Sequence, residues 1–418
     1  MTPPASAWPF VARPGLAVIA AVPLAAMHFG GALKSAPVVS AVPFDITILA
    51  GAVAIPALAL LASGRRWHVS RAVALPIGAA AGLWLWFTIA GLWSGSGAVL
   101  SAKLREMVLL GPAMLLAGVV VAGDPRALAA FSRATLAIGV LVGAAVAWGL
   151  LVGGVVLGGA LDVRPDAVRV QYQITGLAIA SAAALAALAA ARRAGGPRML
   201  WLGLTACLAA AALLPGGRAG LLGLALAVTL APAVLFWAQA RPRAALGWVA
   251  LALVGGGAGL AILFLDPERA AGFRTLERFT QGGLDASARP WLWAAALRWA
   301  GETLPFGLGT AGFPIAAGFG EWRGRYPHNH VLEAFAEGGL PGLFLWLGCF
   351  GGAVVGAVAR LPRVTPQRAA MVVALTVPVA VSVLVSTDLG NRMAWLAVGL
   401  LIGLGVESTP QQAGPVDV

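Results

Sequence analysis

The sequence predicts an all-α polytopic membrane protein with about 12 transmembrane helices and one large outward loop containing short helices. Three observations carry this. Of 418 residues, 60% are hydrophobic and only 11% charged, against about a quarter charged in a soluble domain. The apolar residues fall in long runs, and roughly 20 such residues cross a bilayer. The basic residues collect in alternate short loops, the pattern that orients a membrane protein. Length alone would suggest two or three soluble domains; hydropathy replaces that with one bundle and one excursion. The formal charge of +12 is then topological, and nucleic-acid binding is set aside. Cys207 and Cys349 lie in apolar runs and read as small core residues.

In chain order, Met1 to Arg13 reads as a short cytoplasmic lead. Gly15 to Ala32 follows without a convincing small-x-small cleavage site, so it reads as an uncleaved first helix. Further spans are expected at Phe44–Ala62, Val73–Trp93, Met107–Ala122, Ala134–Leu157, Gln173–Ala191, Met199–Leu214, Ala219–Trp237, Ala245–Leu265, Gly339–Ala359, Ala369–Ser386 and Met393–Val406. Each must pair its own backbone groups in lipid, so each is expected to be helical. Small residues in Gly139 to Gly159 suit close helix packing. Arg65, Arg66 and Arg71, then Arg126 and Arg133, Arg192, Arg193 and Arg198, Arg241 and Arg243, and Arg360, Arg363 and Arg368 mark one side as cytoplasmic. The intervening loops are poorer in base or balanced: Lys34; Lys103 and Arg105 with Glu106; Arg164 and Arg169 with Asp162 and Asp166; Arg392 with Asp388. The chain therefore divides into 1–265, nine spans; 266–338, a large outward loop expected to carry the chemistry; 339–406, three spans; and 407–418, a polar cytoplasmic tail.

Arg218 stands out in Pro215-Gly-Gly-Arg-Ala-Gly220, the tightest outward turn. It either snorkels to the interface or presents its guanidinium to a phosphate, with glycines permitting close approach. In the large loop, Pro267 to Thr280 reads as a short helix with Arg274 and Arg278 on one face beside Glu277, more simply a solvated face. Asp285-Ala-Ser-Ala-Arg289-Pro-Trp-Leu-Trp293 reads as a capped helix start. Trp291, Trp293 and Trp299 suit the membrane surface, and Arg289 then sits at a helix N-terminus, which favours anions. Pro305 to Pro314 is glycine-rich but lacks the Gly-Lys-Ser/Thr ending of a nucleotide loop, so it reads as turns that fold the loop back over the membrane face.

The centre of the loop is Arg323-Gly-Arg325-Tyr-Pro-His328-Asn329-His330. Pro327 is expected to start a helix with His328 and Asn329 in its first turn. His330, Glu333 and Glu337 share one face by spacing, with His328 pointing elsewhere. Two histidines and a carboxylate without cysteine make a poor metal set. A histidine titrating near neutrality can take a proton from a hydroxyl; the plainer alternative is a structural residue at a helix start.

At these residues the chain resembles the O-antigen ligase and polymerase superfamily of bacterial envelope glycosyltransferases. That family is marked by His, then Asn, Ser or Gln, nine residues, then Gly-x-x-Gly; here the motif is His328-Asn329, nine residues, Gly339-Leu-Pro-Gly342. Pro305 to Gly309, Arg289-x-x-x-Trp293 and Arg218 also look like the family, while Gly217 stands where relatives often carry Ser. The resemblance covers roughly Leu200 to Leu347 and implies a metal-independent, inverting transferase of the GT-C type, without cofactor, in the bacterial inner membrane. Its donor would be a glycan on undecaprenyl diphosphate, and its acceptor a sugar of lipid A–core or another lipid-linked glycan. The large loop would be periplasmic. Carried over, Arg218 and Arg289 would hold the pyrophosphate, and His328 would activate the acceptor hydroxyl or orient the reacting groups; Arg323, Arg325, Asn329 and His330 are further substrate-binding candidates. The ligase is the leading reading, a polymerase the nearest rival. A protein O-oligosaccharyltransferase is less favoured because little chain follows the last span. A transporter would carry ionisable residues inside its spans, and almost none are expected here.

Overall fold

The computed structural model describes residues 14–157, 167–266, 268, 272–276 and 289–410. The lead up to Arg13, the charges Asp162, Arg164 and Asp166, the residues Glu277, Arg278, Asp285 and Ser287, and the tail from 411 lie outside the described residues. The described chain is helical apart from two two-stranded ladders. The expected apolar runs lie mostly on helices: α1 Pro14–His28, α2 Ile46–Ser63, α3 Arg71–Trp93, α4 Ala98–Gly123, α5 Pro125–Leu151, α6 Tyr172–Ala191, α7 Gly195–Ala212, α8 Arg218–Ala238, α9 Pro242–Phe264, α11 His330–Arg360, α12 Pro366–Val385 and α13 Arg392–Gly403. The exceptions are Ala134–Leu157, which leaves its helix after Leu151 to end in a strand, and Met393–Val406, which leaves its helix after Gly403. Helix α10, Arg289–Glu302, belongs to the polar stretch. Among the described residues, nine helices are long and apolar enough to cross a membrane; α1 and α13 are shorter, and α7 is not among the nine.

Polar caps and prolines set the boundaries. The Asp45 side chain accepts from Thr47 N–H at the start of α2, and Asp124 accepts from Arg126 and Ala127 N–H ahead of Pro125 in α5. Asn391 caps α13 in the same way. Helix α6 is the central post, with 83% of its spanning window buried by neighbours, whereas α9 hangs on the edge with 6%. Around α6 pack α5, α7, α8 and α12. Gly139 lies so close to Ala178 of α6 that a methyl group would collide with its carbonyl, the close packing its small neighbours predict.

Several boundaries differ from expectation, each for a physical reason. Helix α4 begins at Ala98 and not at Met107, so Lys103 and Glu106 are helical and not in a loop. Glu321, from the polar stretch, caps it by accepting from Gly97 and Val99 N–H and from Ser96 Oγ. Helix α5 begins at Pro125 and takes in Arg126 and Arg133. Helix α11 begins at His330, not Pro327, because the Asn329 side chain caps it from Val331 and Leu332 N–H. His328 stands outside that helix with φ 54°. The arginine-rich loop after α2 is β1, Arg65–Val69, paired antiparallel with β4, Val406–Pro410, where a bare connection and tail were expected. The other ladder joins β2, Val155–Leu157, and β3, Val168–Val170, in parallel. Cys349 is buried as expected, but Cys207 is exposed on α7.

Ladder β1–β4 gathers the basic loops at one end of the bundle. Arg65 pairs with Asp124 at 2.8 Å. Arg368 donates to the Ala122 and Gly403 carbonyls, and Arg360 bonds to Ser70. Helix α11 runs from Arg360 at this end to His330 at the other, and α12 from Arg368 to Val385. The start of α11 and the turn after α12 therefore share the far end, the end of the candidate site.

Candidate functional site

The site is built where the polar stretch meets the start of α11 and the turn Ser386–Asn391. Pro327 is buried and its carbonyl accepts from Trp293 Nε1 of α10 at 2.9 Å. That bond ties the first turn of α10, with Arg289 as its first residue, to the His328 segment. Leu292, Ala296 and Ala300 of α10 pack with Phe313 and with Ala336 of α11. Trp291 is exposed, whereas Trp293 and Trp299 are half-buried.

The His328 ring lies against Tyr326, with centroids 4.0 Å apart. Both side chains reach one acceptor: Tyr326 OH donates to the Ser386 carbonyl at 3.2 Å, and His328 Nδ1 lies 3.4 Å from it. A carbonyl only accepts, so it favours the tautomer with the proton on Nδ1 and leaves the Nε2 lone pair available. Burial holds the imidazole below its ordinary value; the Ser386 bond and Asp388 oppose this, while Arg289 and Arg325 add to it. Burial likewise pushes the Tyr326 phenol up, reinforced by Asp388, Glu333 and Tyr172 and opposed by Arg289. His328, Arg289 and Arg325 are thus brought into one electrostatic neighbourhood with Tyr326 and Asp388.

Arg218 opens α8. A side chain on the preceding Gly217 would crowd the Tyr172 carbonyl at the head of α6, so the Gly in place of the family's Ser allows this approach. Gly176 and Gly220 touch backbone to backbone, and α6 and α8 therefore run side by side with their N-termini level. Thr275 holds the turn before Arg218, with its N–H on the Leu213 carbonyl and its hydroxyl accepting from Gly216 N–H. Arg218 and Arg289 each occupy the first position of a helix, where the backbone dipole favours an anion.

The other sequence candidates are otherwise engaged. Arg323 is ion-paired with Glu106 of α4. Arg325 lies over the Phe319 and Trp322 rings. Asn329 is taken up by capping. His330 is fully buried against Phe350, with Nε2 3.0 Å from Thr387 Oγ1. It shares the predicted face with Glu333 and Glu337, and both carboxylates bond to Lys103. The spans thus carry more ionisable groups than expected, among them Lys103 and Glu106 of α4 and Glu333 and Glu337 of α11.

The glycine-rich stretch forms turns, as its composition predicts. It is threaded into a break in α11 at Gly339, whose φ of 61° and ψ of −154° only glycine adopts readily. Leu308 and Gly309 N–H donate to the Ala336 and Glu337 carbonyls, and Leu340 N–H to the Pro305 carbonyl. Trp86 of α3 donates to the Gly338 carbonyl at 2.7 Å. Gly342 abuts the Ala334 carbonyl, leaving no room for a methyl group. The two ends of the Gly-x-x-Gly motif are therefore a helix break and a close contact, and the Pro305–Gly309 stretch is the partner they receive.

Against known proteins, residues 203–347 match the family described as O-antigen ligase. This segment is similar to the O-antigen ligase family. No curated protein matches the chain. The match supports the resemblance read from the motif, and it indicates a glycosyltransferase-type enzyme acting on lipid-linked glycans in a membrane, as a ligase or a related polymerase. The matched segment contains Arg218, Arg289, Arg323, Arg325 and His328 but does not complete the site. Lys103, Glu106, Tyr172, Ser386 and Asp388 come from outside it, and sequence reasoning missed them as site residues. One signal was available: the chain has only two tyrosines, and Tyr326 is two residues from His328, against whose ring it packs.

Proposed function

We propose that the protein transfers a glycan from undecaprenyl diphosphate to a hydroxyl of lipid A–core at the periplasmic face of the bacterial inner membrane. The observation that carries this reading is His328, its Nδ1 directed at the Ser386 carbonyl and its imidazole within the electrostatic influence of Arg289. In the reaction, His328 Nε2 takes the proton of the acceptor hydroxyl as its oxygen attacks the anomeric carbon. The bond from that carbon to the diphosphate breaks, and the electron pair leaves on undecaprenyl diphosphate with inversion at carbon. Asp388 favours the imidazolium that forms. Arg218 and Arg289, each at a helix start, stabilise the charge gathering on the leaving group, each donor contributing about 3 kcal/mol in a partly desolvated site. With the arginines neutralising the diphosphate, no metal step is needed. The basic loops gathered at the opposite end support the outward orientation.

The test is transfer by purified protein given undecaprenyl-diphosphate glycan with or without lipid A–core. Product on lipid A–core, lost in His328→Ala, supports the ligase. Longer lipid-linked chains without that acceptor make the protein a polymerase of the same superfamily. No product with either acceptor, the donor being verified, sinks both.

A further inference from the structure

The buried charges of α4 and α11 have no place in the reaction just described, yet they connect to His328. The Lys103 ammonium, 5% exposed as a residue, bonds to Glu333 Oε1 and Glu337 Oε2. Each carboxylate also accepts from backbone. Leu389 N–H donates to Glu333 Oε2 at 3.0 Å, and Ala311 N–H to Glu337 Oε2 at 2.8 Å. One lysine thus joins α4 to the start of α11, to the glycine-rich stretch and to the turn after α12. That turn carries the Ser386 carbonyl facing His328 Nδ1, the same carbonyl that accepts from Tyr326. Thr387, between Ser386 and Leu389, bonds His330. Glu106, one turn beyond Lys103, packs against Gly390 of the same turn. A carbonyl presented by a short turn holds a ring only as well as the turn is itself held, and His330 and Glu333 both grip that turn from α11.

We propose that Lys103 is a positioning residue for His328, acting through Glu333 and the Ser386–Leu389 turn to keep the Nδ1 proton on the Ser386 carbonyl and the Nε2 lone pair directed outward. This rests on the reading of His328 as the proton acceptor. Removing the lysine charge leaves two carboxylates buried together and drives them apart. Removing the Glu333 charge loosens Leu389 and lets the ring turn. The charged and titratable groups facing His328 are Tyr326 and Arg325 on its own segment, Arg289 of α10 and Asp388 of the turn; none of these is altered by the substitutions below.

The test is histidine-selective nitrogen NMR of the full chain in lipid nanodiscs, alongside transfer kinetics. The His328 signal is the one missing from His328→Asn. In the wild type the Nδ1–H tautomer dominates. In Glu333→Gln and Lys103→Met both tautomers are expected, with the titration midpoint moved further down because the Ser386 bond that opposes the lowering is loosened, whereas Lys103→Arg retains the wild-type spectrum. Transfer turnover is expected to fall about a hundredfold in the first two, as for a displaced catalytic group, with donor KM unchanged. A wild-type His328 spectrum in folded Glu333→Gln overturns the proposal, including when turnover is lost, because the effect is then structural alone. Should Lys103→Met fail to fold, Glu333→Gln decides. A wild type that transfers no glycan sinks the functional reading, and the His328 spectra then still decide whether Lys103 orients the ring.

Discussion

His328 holds a left-handed backbone at φ 54°, a conformation a non-glycine residue keeps only where its surroundings enforce it, at about 1–3 kcal/mol. Asparagine tolerates the same conformation but cannot take the proton. His328→Asn is therefore expected to leave the thermal unfolding midpoint in detergent unchanged while lowering transfer by about a hundredfold to ten-thousandfold. Because burial and Arg289 hold the imidazole below its ordinary value, the ring stays neutral to lower pH than a free histidine. The working form is the neutral one, so the acid limb of the pH–rate profile should fall below about 6.5, activity being full above it and lost as pH drops through it. Arg289→Lys keeps a charge there, whereas Arg289→Ala removes one cause of the shift and should move that limb upward. The histidine was legible in the sequence from its motif. Its partners were not, because Ser386 acts through a carbonyl, a group that every residue carries.

At the scale of elements, the break in α11 decides the shape of the site. A methyl group at Gly339 would overlap the Pro305 carbonyl and force φ 61° on a residue with a side chain. Gly339→Ala is expected to destabilise the protein by about 3 kcal/mol, read as a lowered unfolding midpoint with loss of transfer. Gly257→Ala in α9, where nothing lies within 4 Å, should be neutral or stabilising by up to about 1 kcal/mol. The glycines of the motif and the Pro305–Gly309 stretch could each be picked out, but their pairing could not, since helix-period reasoning does not pair distant segments. Lys103 and Glu106 were read as loop residues for a related reason. A charge at the edge of an apolar run looks like the end of a span until Glu333, Glu337 and Arg323 supply partners that allow the helix to continue past it.

Across the whole molecule, the alternation of basic loops foresaw which connections lie together: Arg65, Arg360 and Arg368 meet at one end, while His328 and Ser386 share the other. Single cysteines at Arg66 and Glu302, placed in a Cys207→Ala background, should react with a membrane-impermeant maleimide from opposite faces of sealed vesicles. Labelling from the same face would overturn the two-ended arrangement. Hydropathy could locate the spans because it samples what lipid samples. It was blind to ladder β1–β4, whose strands are polar and far apart in the chain. That ladder sets an order in time. A ribosome delivers Arg65 to Val69 early and Val406 to Pro410 only after every spanning helix has been made, so the basic end waits unlatched through most of synthesis. A stop codon just before Val406 would release a chain with all its candidate reactive groups in place and its first strand exposed, a substrate for quality-control proteases.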